Sequence, residues 1–404
     1  MKILLGVTGG IAAYKSLELT RLFVKAGHQV QVVMTSGAQE FIQPLSFQAL
    51  SGNPVRDSLF DANQEAGMGH IELARWADQI LIAPASAETL AKLRMGRADD
   101  LLTTLCLATD RPIMLAPAMN RLMWANEATQ ENVAVLKQRG LTVLQPASGE
   151  QACGEVGEGR MPEPQAIFEA VEAFQKQWKQ TEREHAELKA FWKGKSLLIT
   201  AGPTYEDIDP VRFIGNRSSG KMGFAIAQTA AEADAKVILV AGPVNLPTPK
   251  NVERIDVRSA RQMFDAVQKQ YAMADCFIGA AAVADFRPEH LQDQKIKKQT
   301  DSERMTIELV KNPDIIAWVA QQDNKPFVVG FAAETENVLD YARSKLKSKR
   351  LDMICANQVG ENQGFERDDN SLTIITDQDQ QTLPISSKFQ QAFSLLKAIS
   401  KKYT

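Results

Sequence analysis

Short apolar runs alternate with segments of helical periodicity along the whole chain. In the first half, KILLGVT, QVQVVMT, QILIAPA, PIMLAPA and LTVLQPA read as strands. Between the first two, Ala12 to Lys25 sets Leu17, Leu19, Leu22, Phe23 and Val24 on an apolar stripe and predicts an amphipathic helix. The runs are apolar nearly throughout rather than alternating, so they predict strands buried on both faces. The rhythm breaks from about Phe174 to Lys195, where FQKQWKQTEREHAELKAFWKGK is polar and charge-rich and reads as a helix end plus linker. It then restarts with KSLLITAGPT, a helical GKMGFAIAQTAAEA and KVILVAGP, followed by CFIGAAAV, FVVGFAAE and DMICANQV. The stretch SLTIITDQDQQTLPIS predicts a β-hairpin with a closing helix after it.

A chain of 404 residues exceeds one ordinary hydrophobic core, so more than one domain is expected. The fold class expected is α/β, with two tandem doubly wound, mainly parallel-sheet (Rossmann-like) domains. Their boundaries are 1–178 and 195–404, with 179–194 as linker. Hydrophobic residues make up 44% and charged residues 24%, as in an ordinary globular protein. The net charge of -3 gives no reason to invoke nucleic acid or a membrane surface. No apolar run approaches the roughly 18 residues of a membrane span. MKILLGVTGG lacks a small-residue cleavage site and reads as a buried first strand, not as a signal segment. The four cysteines (Cys106, Cys153, Cys276, Cys355) form no C-x-x-C pair, and the four histidines (His28, His70, His185, His290) show no zinc spacing. A reducing, cytoplasmic location is therefore expected. Cys106, Cys276 and Cys355 sit in apolar runs and should pack as small hydrophobes.

Hydroxyls and small residues gather where strands end. Thr8, Gly9 and Gly10 follow the first strand, Thr35, Ser36 and Gly37 the second, and Ser86 with Thr89 the third. Any one of these is a tight turn. Together they favour a phosphate-bearing cofactor at the carboxyl edge of the sheet, although no G-x-G-x-x-G fingerprint exists. His70 opens the helical IELARWAD; alone it reads as a cap or a surface group. Asn120 ends PAMN after a buried strand, where a plain turn or a carboxylate-binding amide would both fit. Cys153 lies in SGEQACGEVGEGRMPEP, too rich in glycine for a core, and reads as a reactive thiol on a mobile lid.

In the second half, Gly215 to Lys221 (GNRSSGK) invites a P-loop reading. Met222 stands where Ser or Thr should reach magnesium, and DPVRFI is a poor central strand. A general anion site there remains reasonable. Asp285 ends AAAVAD and suits a nucleotide-bound divalent ion. KIKK (Lys295, Ile296, Lys297, Lys298) is dense enough to neutralise phosphates, or is a solvated face. Asn312, Pro313, Asp314 and Ile315 begin a helix. Phe331 ends a buried strand, and Lys345 and Lys349 share a helix face.

In the first half, VTGGIAAYK, MTSGA, the His70 segment, PAMNRLMW and ACGEVGEGRM occur in order and resemble the flavin-dependent cysteine decarboxylases. The best match is the decarboxylase half of the bifunctional bacterial phosphopantothenoylcysteine decarboxylase/phosphopantothenate–cysteine ligase family. One departure is Glu88, where many relatives carry Asn. The resemblance implies oxidised FMN, held by Thr8, Gly9, Gly10, Ser36, Ser86 and Thr89, which takes two electrons from the substrate thiol. The resulting thioaldehyde accepts the electrons left by loss of carbon dioxide, and reduced flavin then returns a hydride. The same resemblance makes Cys153 the proton donor and Asn120 the substrate carboxylate binder, while His70 assists oxidation or decarboxylation.

In the second half, TAGPTYEDIDPVRFIGNRSSGKMGFAIA, AAAVADF, KIKK, KNPDI, GFAAET and ICAN resemble phosphopantothenate–cysteine ligase over nearly all of 191–404. By that resemblance, the carboxylate of 4′-phosphopantothenate attacks the α-phosphate of CTP with Mg2+ or Mn2+ present. Cysteine then displaces CMP from the acyl-cytidylate. Lys295 would clamp phosphoryl charge and Asn216 would bind the acyl intermediate. Asp285, Asn312, Pro313, Asp314, Ile315, Phe331, Lys345 and Lys349 would hold nucleotide and metal, with Asp285 as the metal ligand. Arg212 would reach a substrate phosphate, including one in a partner subunit. The resemblance also implies a homo-oligomer, a dodecamer of flavin-domain trimers and ligase-domain dimers. Two other readings stand beside it. One is a flavoprotein subunit that regulates a partner without catalysis, and the other a P-loop-like ATPase with a flavin redox domain.

Overall fold

The computed structural model describes all residues except 60–68, 153, 298–304, 335–336, 359–368 and 404. The chain divides into two compact units, Met1–Gln180 and Thr181–Thr404.

The first unit opens with β1 (Lys2–Val7), α1 (Ala13–Lys25), β2 (Gln29–Met34), α2 (Ser36–Gln39), α3 (Pro44–Ser51) and α4 (Gly69–Trp76). It continues through β3 (Gln79–Ala85), α5 (Ala87–Met95), α6 (Leu101–Leu107), β4 (Ile113–Pro117), α7 (Arg121–Ala125), α8 (Glu127–Gln138) and β5 (Thr142–Val143). These five strands form one parallel sheet in the order β2-β1-β3-β4-β5. Every residue of β3 is buried, as its unbroken apolar run requires. LTVLQPA contributes only the two residues of β5, because its chain departs at once toward an antiparallel hairpin, β6 (Ala147–Glu150) and β7 (Val156–Arg160).

The charged stretch after Phe174 is helical. It lies within one 29-residue helix, α9 (Pro164–Trp192). Its first turns bury Ile167 and Val171 in the core of the first unit, and its last turns bury Leu188 and Trp192 in that of the second. The polar residues between them make helical pairs such as Arg183 with Glu187.

The second unit runs β8 (Ser196–Ala201), β9 (Tyr205–Asp207), β10 (Phe213–Gly215), α10 (Lys221–Glu232), β11 (Lys236–Ala241), β12 (Val252–Asp256) and α11 (Ala260–Gln270). There follow β13 (Cys276–Gly279), β14 (Phe286–Pro288), β15 (Leu309–Lys311), α12 (Ile315–Ala320), β16 (Phe327–Glu334), α13 (Val338–Ser348) and β17 (Met353–Gln358). The chain ends with β18 (Asp369–Asn370), β19 (Thr373–Ile375), β20 (Gln380–Thr382), β21 (Ser386–Ser387) and α14 (Lys388–Lys402). The main sheet has the order β12-β11-β8-β13-β16-β17-β19-β20, parallel through β17 and antiparallel in the terminal hairpin. β9 with β10 and β14 with β15 form two separate hairpins. Cys106, Cys276 and Cys355 are buried free thiols, as their apolar neighbours predict.

Candidate active sites

In the first unit the chain leaves β1 toward β2 on one side, while β3 lies on the other, so the carboxyl ends of β1 and β3 frame the switch-point crevice. Thr8 fastens the two ends. Its Oγ1 donates to the Pro84 carbonyl at 2.7 Å and accepts from the Ser86 N–H at 2.9 Å. The Ser86 and Thr89 hydroxyls lie 3.0 Å apart, and Ser86 caps α5 through the Thr89 N–H at 3.2 Å. These hydroxyls, read from the sequence as cofactor contacts, thus build the crevice wall. Gly9 stands against Gly37, and a Cβ on it would come 3.0 Å from the Gly37 backbone. Gly10 faces open space, since a Cβ there would meet nothing within 4 Å. Behind it, α1 begins without an acidic residue in its first turn and without a capping side chain. An anionic phosphate fits in front of that positive helix end. Ser36 is exposed at the start of α2.

Asn120 caps α7, its Oδ1 accepting from the Leu122 N–H at 2.8 Å. Its Nδ2 donates to Glu155 Oε2 at 2.8 Å, and the same carboxylate oxygen lies 3.3 Å from Arg121 Nε. Gln151 grips this turn from the other side of the hairpin connection. It accepts from the Arg121 N–H at 3.0 Å and donates to the Met119 carbonyl at 3.1 Å. Gly159, at φ +133, allows the close docking, because a Cβ would stand 2.4 Å from the Met119 carbonyl. Cys153 lies outside the described residues, but both of its flanks, Gln151 and Glu155, are clasped to the Asn120 turn. His70 is the second residue of α4, half-buried, on a helix that packs against α6.

The second sheet reverses between β8 and β13, and the loop after β13 gathers Asn216 and Asn312 around it. Thr204, just after β8, accepts from the Ala284 N–H at 3.0 Å. Asn216 Nδ2 donates to the Ala282 and Val283 carbonyls at 3.4 and 3.0 Å, which sets it against the loop leading to the exposed Asp285. Asn312 is a buried joint for that loop. Its N–H donates to the Asp285 carbonyl and its Nδ2 to the Ala284 carbonyl, both at 2.8 Å. Pro313 is half-buried beside it, and Ile315 is buried in the core, so its side chain packs. Asp314 caps α12 through the Ala317 N–H at 3.1 Å and pairs with Lys349 at 2.8 Å. Lys345 lies one turn earlier on α13, and Phe331 faces Cys355 across the β16–β17 ladder.

Arg212 turns its fork inward, onto its own chain. Nε and Nη2 donate to Asp209, and Nη2 also donates to the Ile296 carbonyl at 3.1 Å. The Asp209 side chain is fully buried, and the Arg212 guanidinium holds its carboxyl far below the usual carboxylate range. This pair, and Glu155 in the other unit, escaped the sequence reading. Acidic residues in loops carry no signal until their distant partners are known.

GNRSSGK follows β10, a strand of a two-stranded antiparallel hairpin and not of the central parallel sheet. A P-loop requires the latter, so that reading fails on topology as well as on Met222. Among the described residues no three His, Cys, Asp or Glu side chains converge. Among the described residues no helix is long and apolar enough to cross a membrane.

Residues 1–176 match the Flavoprotein family model, and residues 192–403 match the DNA/pantothenate metabolism flavoprotein C-terminal domain. The chain is 54% identical over 400 residues to the coenzyme A biosynthesis bifunctional protein of Vibrio vulnificus (strain YJ016), covering 98% of this chain and 97% of the relative. It is 49% identical over 405 residues to the protein of the same description in Escherichia coli (strain K12), covering 100% and 97%. Among solved structures, a PPC decarboxylase mutant complexed with pantothenoylaminoethenethiol aligns at 35% identity over 43% of this chain and 98% of that one, with a TM-score of 0.40. Full-length identity at this level, with both family models in tandem, decides the assignment: the chain belongs to the bifunctional coenzyme A biosynthesis proteins, which join a flavoprotein phosphopantothenoylcysteine decarboxylase to a phosphopantothenate–cysteine ligase.

Proposed function

We propose that the two units act in sequence, the C-terminal one first, and that specific residues divide the work as follows. In the ligase unit the carboxylate of 4′-phosphopantothenate attacks the α-phosphate of CTP, and pyrophosphate leaves. Lys295 offsets the charge that develops on the phosphoryl oxygens, and Asp285 supplies a carboxylate to the divalent ion carried by the nucleotide. Asn216, fixed against the same loop, holds the acyl-cytidylate while the cysteine amine attacks its acyl carbon and CMP leaves. Asp314, Lys345, Lys349, Asn312, Pro313 and Phe331 shape the nucleotide end, and Arg212 serves the substrate phosphate side.

In the flavoprotein unit the resident cofactor is FMN, which when bound supplies a two-electron acceptor for the substrate thiol and later returns the electrons. Gly9 and Gly10, with the α1 N-terminus, leave room and positive potential for its phosphate, and Thr8, Ser86 and Thr89 hold the wall beside it. Asn120 orients the substrate carboxylate that departs as carbon dioxide. Cys153 gives the proton that the product carbon needs, and His70 assists the earlier steps. One observation carries this reading: Asn120 Nδ2 already donates to a carboxylate, Glu155, at 2.8 Å. The amide therefore points at a place where a carboxylate is accepted. The same reading takes the protein as cytoplasmic and as a homo-oligomer of flavin-domain trimers and ligase-domain dimers.

Two variants test the division. Asn120→Asp keeps the α7 cap but presents a carboxylate where the amide donated. It should release pyrophosphate normally and accumulate phosphopantothenoylcysteine. Lys295→Ala should slow pyrophosphate release steeply, to a small measurable rate, yet decarboxylate supplied phosphopantothenoylcysteine at the parent rate. An Asn120→Asp protein that makes 4′-phosphopantetheine at the parent rate removes Asn120 from the chemistry.

A further inference from the structure

The segment that carries Lys295 has no regular secondary structure of its own. It is tied instead to the tip between β9 and β10. Gln292 N–H donates to the Ile208 carbonyl at 3.1 Å. Ile296, the residue after Lys295, is then held at both polar groups of its backbone. Its N–H donates to Asp209 Oδ2 at 3.1 Å, and its carbonyl accepts from Arg212 Nη2 at 3.1 Å. Asp209 is in turn fixed to the tip, because its Oδ1 accepts from the Val211 and Arg212 N–H groups at 2.9 Å each.

We propose that Asp209 is a positioning residue of the ligase reaction, which fixes Lys295 by clamping Ile296, directly at the N–H and through Arg212 at the carbonyl. The proposal rests on the reading of Lys295 as the clamp on phosphoryl charge. The physical case is one of leverage. Lys295 is exposed, and a lysine carries several rotatable bonds whose freedom must be lost before its charge acts at a fixed point. Anchoring the adjacent peptide removes the backbone share of that freedom in advance. The anchor has to be a carboxylate: only an acceptor-only, charged group can take the Ile296 N–H and the guanidinium fork together. A plain turn-forming role would need only Oδ1 and its two backbone partners. Asn at 209 preserves those two bonds and removes the clamp, since its Nδ2 cannot accept.

The test is a double-mutant cycle on the full chain, with pyrophosphate release measured against CTP, 4′-phosphopantothenate and cysteine. Asp209→Asn should lower kcat by about a hundredfold, the scale expected when a catalytic group is misplaced by an ångström. KM for cysteine should stay unchanged, and so should decarboxylation of supplied phosphopantothenoylcysteine. In a Lys295→Ala background the same substitution should cost nothing further. Losses that multiply would show that Asp209 does not act through Lys295 and would overturn the proposal. A Lys295→Ala chain with parent kcat would overturn the Lys295 reading itself, and the proposal with it. If thermal unfolding shows that Asp209→Asn does not fold, Asp209→Glu keeps the charge for Arg212 while displacing the Ile296 anchor. The same cycle then applies: no further loss beside Lys295→Ala supports the proposal, and multiplied losses overturn it.

Discussion

Thr8 and Ser86 are 78 positions apart in the chain, yet the Ser86 N–H donates to the Thr8 hydroxyl at 2.9 Å while that hydroxyl donates to the Pro84 carbonyl at 2.7 Å. One buried side chain thereby joins the ends of β1 and β3 at the point where the sheet reverses. Thr8→Val keeps the shape and removes both bonds, leaving a buried N–H and carbonyl without this partner. The expected cost is about 1–3 kcal/mol. Thermal unfolding should show it, together with weaker flavin retention, and Thr8→Ser should restore both. A Thr8→Val protein as stable and as yellow as its parent would contradict this account of the wall.

The three buried thiols give a second prediction. Burial pushes Cys106 up to about 12, and it raises Cys276 and Cys355 further. Only a thiolate reacts appreciably. A thiol reagent at pH 8 should leave these three unmodified in the native protein and label all of them after denaturation. Peptide mass analysis reads the result, and native-state labelling of any one would refute it.

Acid should act on Asp209 in a defined direction. Its carboxyl is depressed in the folded chain, first by the Arg212 side chain. Its stabilising contribution is therefore complete above the ordinary value of about 3.9, and it is lost as pH falls below that toward the folded-state value. The difference in unfolding temperature between parent and Asp209→Asn should be constant from pH 8 to 5 and shrink below about pH 4. A difference that persists undiminished into stronger acid would mean that the Arg212–Asp209 ion pair is not its origin.

Glu155 offers a prediction of opposite sign from simple loss. It holds Asn120 in the place assigned to the substrate carboxylate. Glu155→Gln replaces the ionic acceptor by a weaker one and should ease substrate entry, lowering KM for phosphopantothenoylcysteine by a fewfold. Raised KM would show that Glu155 supports substrate binding rather than competing with it.

Long apolar strands were legible because burial on both faces leaves little room for anything but Val, Ile, Leu and Ala, as in QILIAPA. What escaped was non-local. The charged run after Phe174 looked like a linker because its apolar anchors, Val171 and Leu188, stand far apart and belong to different cores. VERID carries no strand pattern to name it by, because β12 is a sheet edge with only two apolar residues. The glycine-rich ACGEVGEG looked like loop alone, yet its last residues form β7, whose Gly159 fits where no Cβ would. Asn120, Asn216 and Asp285 were legible as motif residues. Asp209 and Glu155 were not, since their meaning comes from partners 87 and 35 residues away.

The most direct measurement is the product balance of one purified chain given 4′-phosphopantothenate, cysteine, CTP and magnesium. The account predicts 4′-phosphopantetheine, CMP, pyrophosphate and carbon dioxide in equal amounts. Failure to form phosphopantothenoylcysteine with any nucleotide, or its accumulation by flavin-loaded protein without decarboxylation, would contradict it.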